Sequence, residues 1–338
     1  MYKKLITFFI LLFLIGCQQL GNTDDGNTVP HSEVELGAYS FGTLLDVEMD
    51  ELIRFVYEGE EIRIPYHVEG LGQGIVNQFA WFVLVDGLPQ PTRLEMSDGS
   101  IFREKSYMHH FELEFLERHE FYVVFVPISG SLGETVSFIA GGILRPDFLP
   151  EDIENPSFRG FHHLTATIPA EILINYPIPE SAFPTMYNKL DDDLIPQTDE
   201  LLAQIQLLLM EGQDVNDIIA YFPVFNLFPA DGNVYINYDG LLKVDESGVR
   251  MRLLLLGGQE VTSRITFFVN HKPVEVNDVD FIEVLMRNEM MLIMDVSLQV
   301  EQLDALNSVY AIIMTAGEDY HVQDIFKTPT LLLVNDMR

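Results

Sequence analysis

The segment Gln78–Val85 most constrains the fold, because it is apolar on both faces that a β-strand presents. One face carries Phe79, Trp81, Val83 and Val85, and the other carries Ala80, Phe82 and Leu84. A strand of this kind has to be covered on both sides, as the central strand of a packed sandwich is. It ends at Asp86-Gly87, a dipeptide that favours a tight hairpin turn.

Further strand patterns surround this segment. Leu52–Tyr57 and Ile62–Val68 flank the polar residues 58–61 and predict a hairpin. Phe111–Phe115 alternates with glutamates, as in a half-exposed strand, whereas Phe121–Val126 and Glu134–Leu144 are typical of buried strands. About seven short strands between residues 52 and 145 resemble an immunoglobulin-like sandwich in size and number.

The chain repeats this pattern after residue 233. Phe82–Pro89 aligns with Thr266–Pro273, and His119–Val124 aligns with Asn307–Ile312, at offsets of 184 and 188 residues. We interpret these matches as two copies of one sandwich, and chance agreement between two β-rich stretches is the alternative. The strands predicted in the second copy are Val234–Tyr238, Arg250–Leu256, Arg264–Val269, Met290–Val300, Val309–Thr315 and Thr330–Val334.

Both copies resemble the immunoglobulin/fibronectin-III superfold. Trp81 lies where such folds place a core tryptophan, and Tyr122 and Tyr310 lie in the strand that carries a corner tyrosine. The second copy departs from the pattern, with Phe267 or Phe268 near the tryptophan position. The resemblance implies a mainly β chain with two immunoglobulin-like β-sandwiches, at residues 49–146 and 232–338, and it assigns these residues to the fold rather than to function.

The intervening region, residues 147–231, is interrupted by prolines and differs from both copies. Thr198 or Asp199 is expected to cap a helix over Leu201–Met210, and a second short helix is predicted at Val215–Tyr221. This composition predicts a Pro-rich, partly helical connector. The prolines in and next to this region are Pro146, Pro150, Pro156, Pro169, Pro177, Pro179 and Pro184.

The first sixteen residues have the parts of an export signal. Lys3 and Lys4 precede the apolar run Leu5–Ile15, which is shorter than the ~20 residues that span a bilayer. Leu14–Cys17 resembles the lipobox of bacterial lipoproteins, in which the cysteine is diacylated and the peptide is cut just before it. The resemblance implies a signal peptide at 1–16 and lipidation of Cys17; an ordinary secretory signal is the alternative.

The residues that follow Cys17 are polar and predict a flexible tether over 17–48. Two acyl chains suffice for stable anchoring. The expected partner of the N-terminus is therefore the lipid bilayer, reached through acylated Cys17. The expected location is the extracytoplasmic face of a cell membrane, with the protein lipid-anchored rather than spanning it.

Composition excludes several functions. Loss of Lys3 and Lys4 with the signal leaves 17 basic residues against 52 acidic residues, a formal charge of −35. Such a chain repels phosphate, so no nucleic-acid partner is expected. Hydrophobic residues make up 48% of the chain, enough for packed cores. Because Cys17 is the only cysteine, its lipidation removes thiol catalysis, disulfides and cysteine-bound zinc.

Motifs for catalysis or metal binding are weak. Ser129–Gly133 is not a nucleophile elbow, and the pairs His109-His110 and His162-His163 lack the helical spacing of zinc ligands. Asp191–Asp193 lacks the alternating ligands and turn glycine of a calcium loop, although calcium binding there stays open. Gly70–Gly74 leads into a strand rather than a helix. We assign no catalytic residue, no cofactor and no metal site.

Three functional hypotheses follow. The first is a non-catalytic surface lipoprotein that binds a protein or glycan outside the cell. The second is an accessory subunit of an envelope export or assembly machine, held beside its partner by the lipid. The third is an acid-dependent hydrolase, which would need a cleft with two carboxylates ~5–10 Å apart.

Overall fold

The computed structural model describes residues 39–45, 53–72, 77–153, 156, 158, 161–166, 170–180, 187–190, 194–206, 224–230, 240–244, 248–257, 260–287, 289–299, 303–316 and 325–335. Within these residues it confirms the predicted fold class, a mainly β chain with two β-sandwiches. Several predictions lie outside the described residues: the signal peptide, Cys17, Asp191–Asp193, the helix at Val215–Tyr221 and the strand at Val234–Tyr238.

The first sandwich consists of two sheets. Sheet A has the strand order β1-β3-β9-β6-β7, and sheet B has the order β2-β12-β10-β4-β5, with β8 paired to β4 and β11 paired to β10. The strands are β1 (Tyr39–Thr43), β2 (Arg54–Tyr57), β3 (Ile62–Gly70), β4 (Asn77–Val85), β5 (Leu88–Gln90), β6 (Thr92–Glu95), β7 (Ile101–Ser106), β8 (Met108–Leu113), β9 (Arg118–Phe125), β10 (Thr135–Leu144), β11 (Leu164–Ala166) and β12 (Ala170–Ile174).

The second sandwich is also built from two sheets. Sheet C has the order β13-β20-β18-β22-β24-β16, with β19 paired to β18 and β23 paired to β22, and sheet D has the order β14-β21-β17-β15. The elements are β13 (Tyr187–Lys189), β14 (Ile195–Pro196), helix α1 (Asp199–Gln206), β15 (Val224–Pro229), β16 (Leu241–Lys243), β17 (Val249–Leu256), β18 (Val261–Val269), β19 (Lys272–Val274), β20 (Phe281–Met286), β21 (Met290–Leu298), β22 (Leu306–Ala316), β23 (Ile325–Lys327) and β24 (Leu331–Val334).

The core of the first sandwich lies between sheets A and B. Trp81 on β4 is fully buried there, with its ring 5.3 Å from the ring of Tyr66 on β3 and 5.9 Å from that of Phe121 on β9. Phe79, Val83 and Val85 point to the same core because side chains on a strand alternate between its faces. The predicted core position of Trp81 is therefore confirmed.

The core of the second sandwich lies between sheets C and D, and helix α1 covers the other face of sheet D. Leu201 of α1 packs with Phe228, Leu254 and Leu256, which the sheet presents outward. Thr198 caps the helix, because its Oγ1 accepts a hydrogen bond from the backbone N–H of Leu201 at 3.3 Å. The helix predicted from residue 201 thus begins at Asp199.

Strand pairing shows that the two sandwiches share one connectivity. Strands β15–β24 correspond in chain order to β1–β5 and β8–β12, and every pairing among the ten strands of one set recurs among their counterparts in the other. Even the parallel pairs agree, since β2 lies parallel to β12 and β16 lies parallel to β24. The strongest sequence match, between Phe82–Pro89 and Thr266–Pro273, joins true counterparts, the hairpins β4–β5 and β18–β19.

The second sequence match is wrong. His119–Val124 belongs to β9 in sheet A, whose counterpart is β21, whereas Asn307–Ile312 belongs to β22 in sheet C, whose counterpart is β10. Tyr122 and Tyr310 are therefore not equivalent residues. Tyr122 lies beneath the guanidinium of Arg63 at 5.1 Å, and Tyr310 bonds to a histidine described below.

The hairpin predicted across residues 58–61 is also wrong. Its two arms belong to different layers, because β2 pairs with β12 in sheet B and β3 pairs with β1 and β9 in sheet A. Gly59 has a φ of 96°, which allows the chain to turn the corner between the sheets. Residues 58–61 therefore link the two layers rather than closing one ribbon.

Strands also occur in the regions expected as tether and connector. Tyr39–Thr43, within the expected tether of 17–48, pairs with β3 along its whole length. In the expected connector of 147–231, β11 and β12 join sheet B, whereas β13, β14 and β15 join sheets C and D. Among the described residues, Pro150, Pro156, Pro177 and Pro179 lie in the segments that connect strands of the two sandwiches.

Candidate functional site

The two sandwiches pack against each other through the outer faces of sheets B and C. Phe82, Ala80 and Leu84 on β4 form a buried cluster with Phe268 on β18 and Tyr310 on β22. The ring of Phe82 lies over Gly141 on β10, where an added Cβ would come within 2.4 Å of its Cζ. This interface explains why β4 is apolar on both faces: one face fills the sandwich core and the other fills the contact between sandwiches.

At one end of the interface, charged side chains join the two sandwiches. Arg264 on β18 forms an ion pair with Asp86 of the β4–β5 turn, donates to the backbone oxygen of Asp86 at 2.6 Å, and donates from Nε to Glu283 at 2.9 Å. Burial by itself lowers the pKa of Arg264, but the two carboxylates outweigh burial and raise it. Arg264 thus stays charged while it joins the two sandwiches.

The opposite end is closed by a neutral histidine. His271, in the β18–β19 turn, lies 2.6 Å through Nε2 from the backbone oxygen of Pro146 and 2.9 Å through Nδ1 from the hydroxyl of Tyr310. A carbonyl only accepts, so Nε2 donates to Pro146 and Nδ1 accepts from Tyr310. Burial lowers the pKa of His271 to about 4, which keeps the imidazole neutral at pH 7.

Further rings pack around His271. His162 lies 5.0 Å from it, ring centre to ring centre, and bonds through Nε2 to the backbone oxygen of Phe148 at 3.0 Å. Burial lowers the pKa of His162 to about 2. The ammonium of Lys327 lies 4.5 Å above the Tyr310 ring, and burial raises the pKa of that phenol. This end of the interface therefore consists of the uncharged rings of His162, His271 and Tyr310, with the ammonium of Lys327 over the Tyr310 ring.

Of the other residues in the sequence motifs, His109 and Ser129 make hydrogen bonds within the fold. His109 is buried in the first sandwich, where Nε2 contacts the hydroxyl of Thr92 at 3.0 Å, and burial lowers its pKa to about 4. His110, its neighbour, is partly exposed and lies 3.7 Å from Asp147. Ser129 donates to Asp86 at 2.8 Å, which places it in the charged end of the interface.

The structure therefore brings His162 and His271 together, a pairing that neither the adjacent pairs His109-His110 and His162-His163 nor a contact of His110 with His163 predicts. Among the residues that the structure describes, no group of three or more histidine, cysteine, aspartate or glutamate side chains is arranged to hold a metal ion. His271 and Arg264 act as connectors between sandwiches. In the sequence, the one feature that points to His271 is its alignment with Gly87 in the two matching hairpins.

A second feature is an exposed apolar tip, formed by Leu71, Phe115 and Leu116. Phe115 and Leu116 are the central residues of a turn in which the N–H of Glu117 donates to the oxygen of Glu114 at 3.1 Å. Leu116 donates to the oxygen of Gly70 at 2.8 Å, which brings Leu71 beside the turn. The three residues are 42%, 45% and 59% exposed, in chain order.

Sequence reasoning missed this tip because Phe115 continues the alternation of Phe111 and Leu113 and was expected in the same strand. The strand instead ends at Leu113. None of the helices in the described part of the chain is long and apolar enough to cross a membrane.

No protein-family model matches the chain, and no curated protein matches it. Solved structures do match. One is the complex of the chaperone CsuC with the tip adhesion subunit CsuE from Acinetobacter baumannii. The match has 9% sequence identity and a TM-score of 0.22, and it covers 88% of this chain and 99% of that chain. The E. coli chaperone DraB has 11% identity, coverages of 86% and 96%, and a TM-score of 0.23.

A protein of unknown function from Porphyromonas gingivalis W83 has 10% identity, coverages of 88% and 99%, and a TM-score of 0.22. TM-scores this low support no inference about the fold or activity of this chain. The two sandwiches are defined by the pairing of strands within sheets A to D.

Proposed function

We propose that this chain is a non-catalytic lipoprotein, anchored through acylated Cys17 on the extracytoplasmic face of a cell membrane. Its two sandwiches serve as a binding or scaffold module for a protein or glycan. The observation that carries the proposal is the lipobox-like Leu14–Cys17, which precedes a body of two sandwiches packed face to face.

The contacts between the sandwiches support a scaffold. The apolar middle of the interface and its two polar ends oppose independent movement of the sandwiches, because separation would expose Phe82 and Phe268 and leave Arg264 and His271 without their partners. A fixed arrangement presents its loops in one geometry, which lowers the entropic cost of binding a partner.

The anchor is tested by growing cells with a labelled fatty acid. We expect the label on the wild-type chain and none on Cys17→Ala, together with release of that variant from the membrane fraction. Cys17→Ser is the matched control, because it keeps a nucleophilic side chain of similar size but forms no thioether. Equal labelling of the three proteins contradicts lipidation at Cys17.

The binding role is tested on intact cells with a carbodiimide, which joins carboxylates to amines and therefore suits a chain with 52 acidic residues. We expect one protein or amine-bearing glycan to be captured in proportion to the amount of the chain. The destabilised interface variant Phe82→Ala is the comparison, since it should lose the same product. Capture of lipid and wall material alone contradicts the binding role.

A further inference from the structure

The apolar tip of Leu71, Phe115 and Leu116 breaks the usual rule for turns. The central positions of β-turns favour glycine, asparagine, aspartate or proline, whereas this turn carries phenylalanine and leucine. Leu116 has a φ of 62°, in the left-handed region that bulky residues avoid. Exposed apolar side chains held at such a cost mark a contact surface.

The position of the apolar tip in the fold indicates which surface it contacts. The described chain enters the first sandwich at Tyr39, which pairs with Gly70, the residue next to Leu71. The same Gly70 donates to the oxygen of Glu117 at 3.0 Å. The N-terminal entry of the chain and the apolar tip therefore lie at one end of the sandwich.

Chain length sets how far this end can be from the lipid anchor. Twenty-two peptide units separate Cys17 from Tyr39, and they reach at most ~75 Å when fully extended. The tip is thus within reach of the bilayer surface that holds Cys17.

We propose that the apolar tip inserts into the interfacial region of the bilayer to which Cys17 is anchored, and that it orients the first sandwich on the membrane. This proposal rests on the lipid anchoring proposed above. A weak contact is sufficient, because the anchor makes the second contact intramolecular and raises its effective concentration. Phenylalanine and leucine are side chains that enter this region.

Charge around the tip selects the kind of lipid. Glu114 and Glu117 flank the two apolar residues, and Glu117 lies 3.1 Å from His119 while also accepting from the N–H of Glu114. Anionic headgroups repel these carboxylates, so the contact is apolar and favours a neutral, zwitterionic surface. This differs from a basic patch, which needs anionic lipid.

The chain provides a matched control at the other end of the same sandwich. Leu132 is 64% exposed in a turn where the N–H of Glu134 donates to Ser131 and the Glu134 side chain accepts from the N–H of Ser131 at 2.7 Å. This turn follows β9, whose far end, Phe125, pairs with Ile62 rather than with the Gly70 end of β3. It resembles the tip turn but lies away from the N-terminal entry.

The experiment uses the full, acylated chain in phosphatidylcholine vesicles. Because Cys17 is acylated, Leu116→Cys and Leu132→Cys each introduce one free thiol for a polarity-sensitive fluorophore. We expect a blue shift and quenching by brominated acyl chains for the label at 116, and neither for the label at 132. Replacing half of the phosphatidylcholine with phosphatidylglycerol should reduce the quenching.

Flotation with the vesicles is measured on the same samples and separates the two proposals. A chain that does not float shows that the anchoring has failed. A chain that floats but shows equal, water-like emission at both positions overturns the tip contact alone. A label at 116 that stays in water on vesicles but is shielded on intact cells overturns it in favour of a protein partner.

Discussion

The two ends of the interface between the sandwiches are closed by equivalent hairpin turns with different chemistry. The β4–β5 turn of the first sandwich meets Arg264 of the second, whereas the β18–β19 turn of the second meets the backbone of Pro146. One end is an ion-pair network and the other is a neutral imidazole between two oxygens. Each sandwich therefore contacts the other through the same hairpin turn. The side chains at the two turns determine whether a contact depends on salt, as the ion pairs do, or on pH, as the imidazole does.

The largest effect is expected in the apolar middle that both ends enclose. Phe82→Ala removes a fully buried ring against Gly141 and should lower the free energy of unfolding by about 4 kcal/mol. Urea unfolding measures this change, with exposed Leu132→Ala as the control, for which a change below about 0.5 kcal/mol is expected. Equal curves for the two variants would show that the middle does not hold the sandwiches together.

The middle also shows how far sequence reasoning reached. The two apolar faces of Gln78–Val85 predicted a strand covered on both sides, and β4 is such a strand. The second cover, however, comes from Phe268 and Tyr310, which lie 186 and 228 residues after Phe82. The pattern of apolar residues along a strand predicts that a face is buried, but it does not predict which distant surface covers that face.

The second sequence match, between His119–Val124 and Asn307–Ile312, failed for a related reason. Val83 and Val309, for example, each occupy an apolar stretch of similar composition, so several strand pairings fit the pattern equally well. The hairpin turns aligned correctly because Asp86-Gly87 and Asn270-His271 both need left-handed backbone angles, and few residues provide them. The residues of the turns therefore identified equivalent elements of the two sandwiches, whereas the apolar residues of the strands did not.

The second largest effect is expected at the charged end. Arg264→Leu leaves Asp86 and Glu283 partly buried without their cation and should cost about 3 kcal/mol. Adding Asp86→Asn and Glu283→Gln should restore most of this, since a neutral set needs no counter-ion. Arg54→Leu, which breaks an exposed pair with Glu171, is the control and should cost less than about 1 kcal/mol. Equal costs for both arginines would remove the distinction between interface and surface pairs.

The third effect, at the neutral end, depends on pH. The pKa of His271 is lowered to about 4 in the folded state from 6.5, so the unfolded state binds more protons between these values. Stability is therefore complete above pH 6.5 and falls as pH drops towards 4. His271 should contribute a loss of about 2 kcal/mol between pH 7 and pH 5.

His271→Asn keeps a residue that tolerates the left-handed turn and removes the titration. Unfolding measured at several pH values should show a dependence smaller by about 2 kcal/mol in this variant between pH 7 and pH 5. The dependence that remains comes from other buried histidines such as His109. An unchanged slope would mean that His271 takes up its proton as readily in the folded state as in the unfolded state, so that its pKa is not lowered by burial.

The smallest effect is a gain, and it comes from a turn whose residues do not suit its backbone. Asp86 and Asn270 tolerate their positive φ values, whereas Leu116 at 62° does not. Leu116→Asn should therefore raise the free energy of unfolding by about 1 kcal/mol, because a leucine that is 59% exposed contributes little packing. Thermal unfolding without lipid measures the gain, with Leu132→Asn as the control, because Leu132 is not among the residues with positive φ in the described part of the chain. A loss of stability in Leu116→Asn would show that this leucine packs against the sandwich, so the backbone cost would not be evidence for a contact surface.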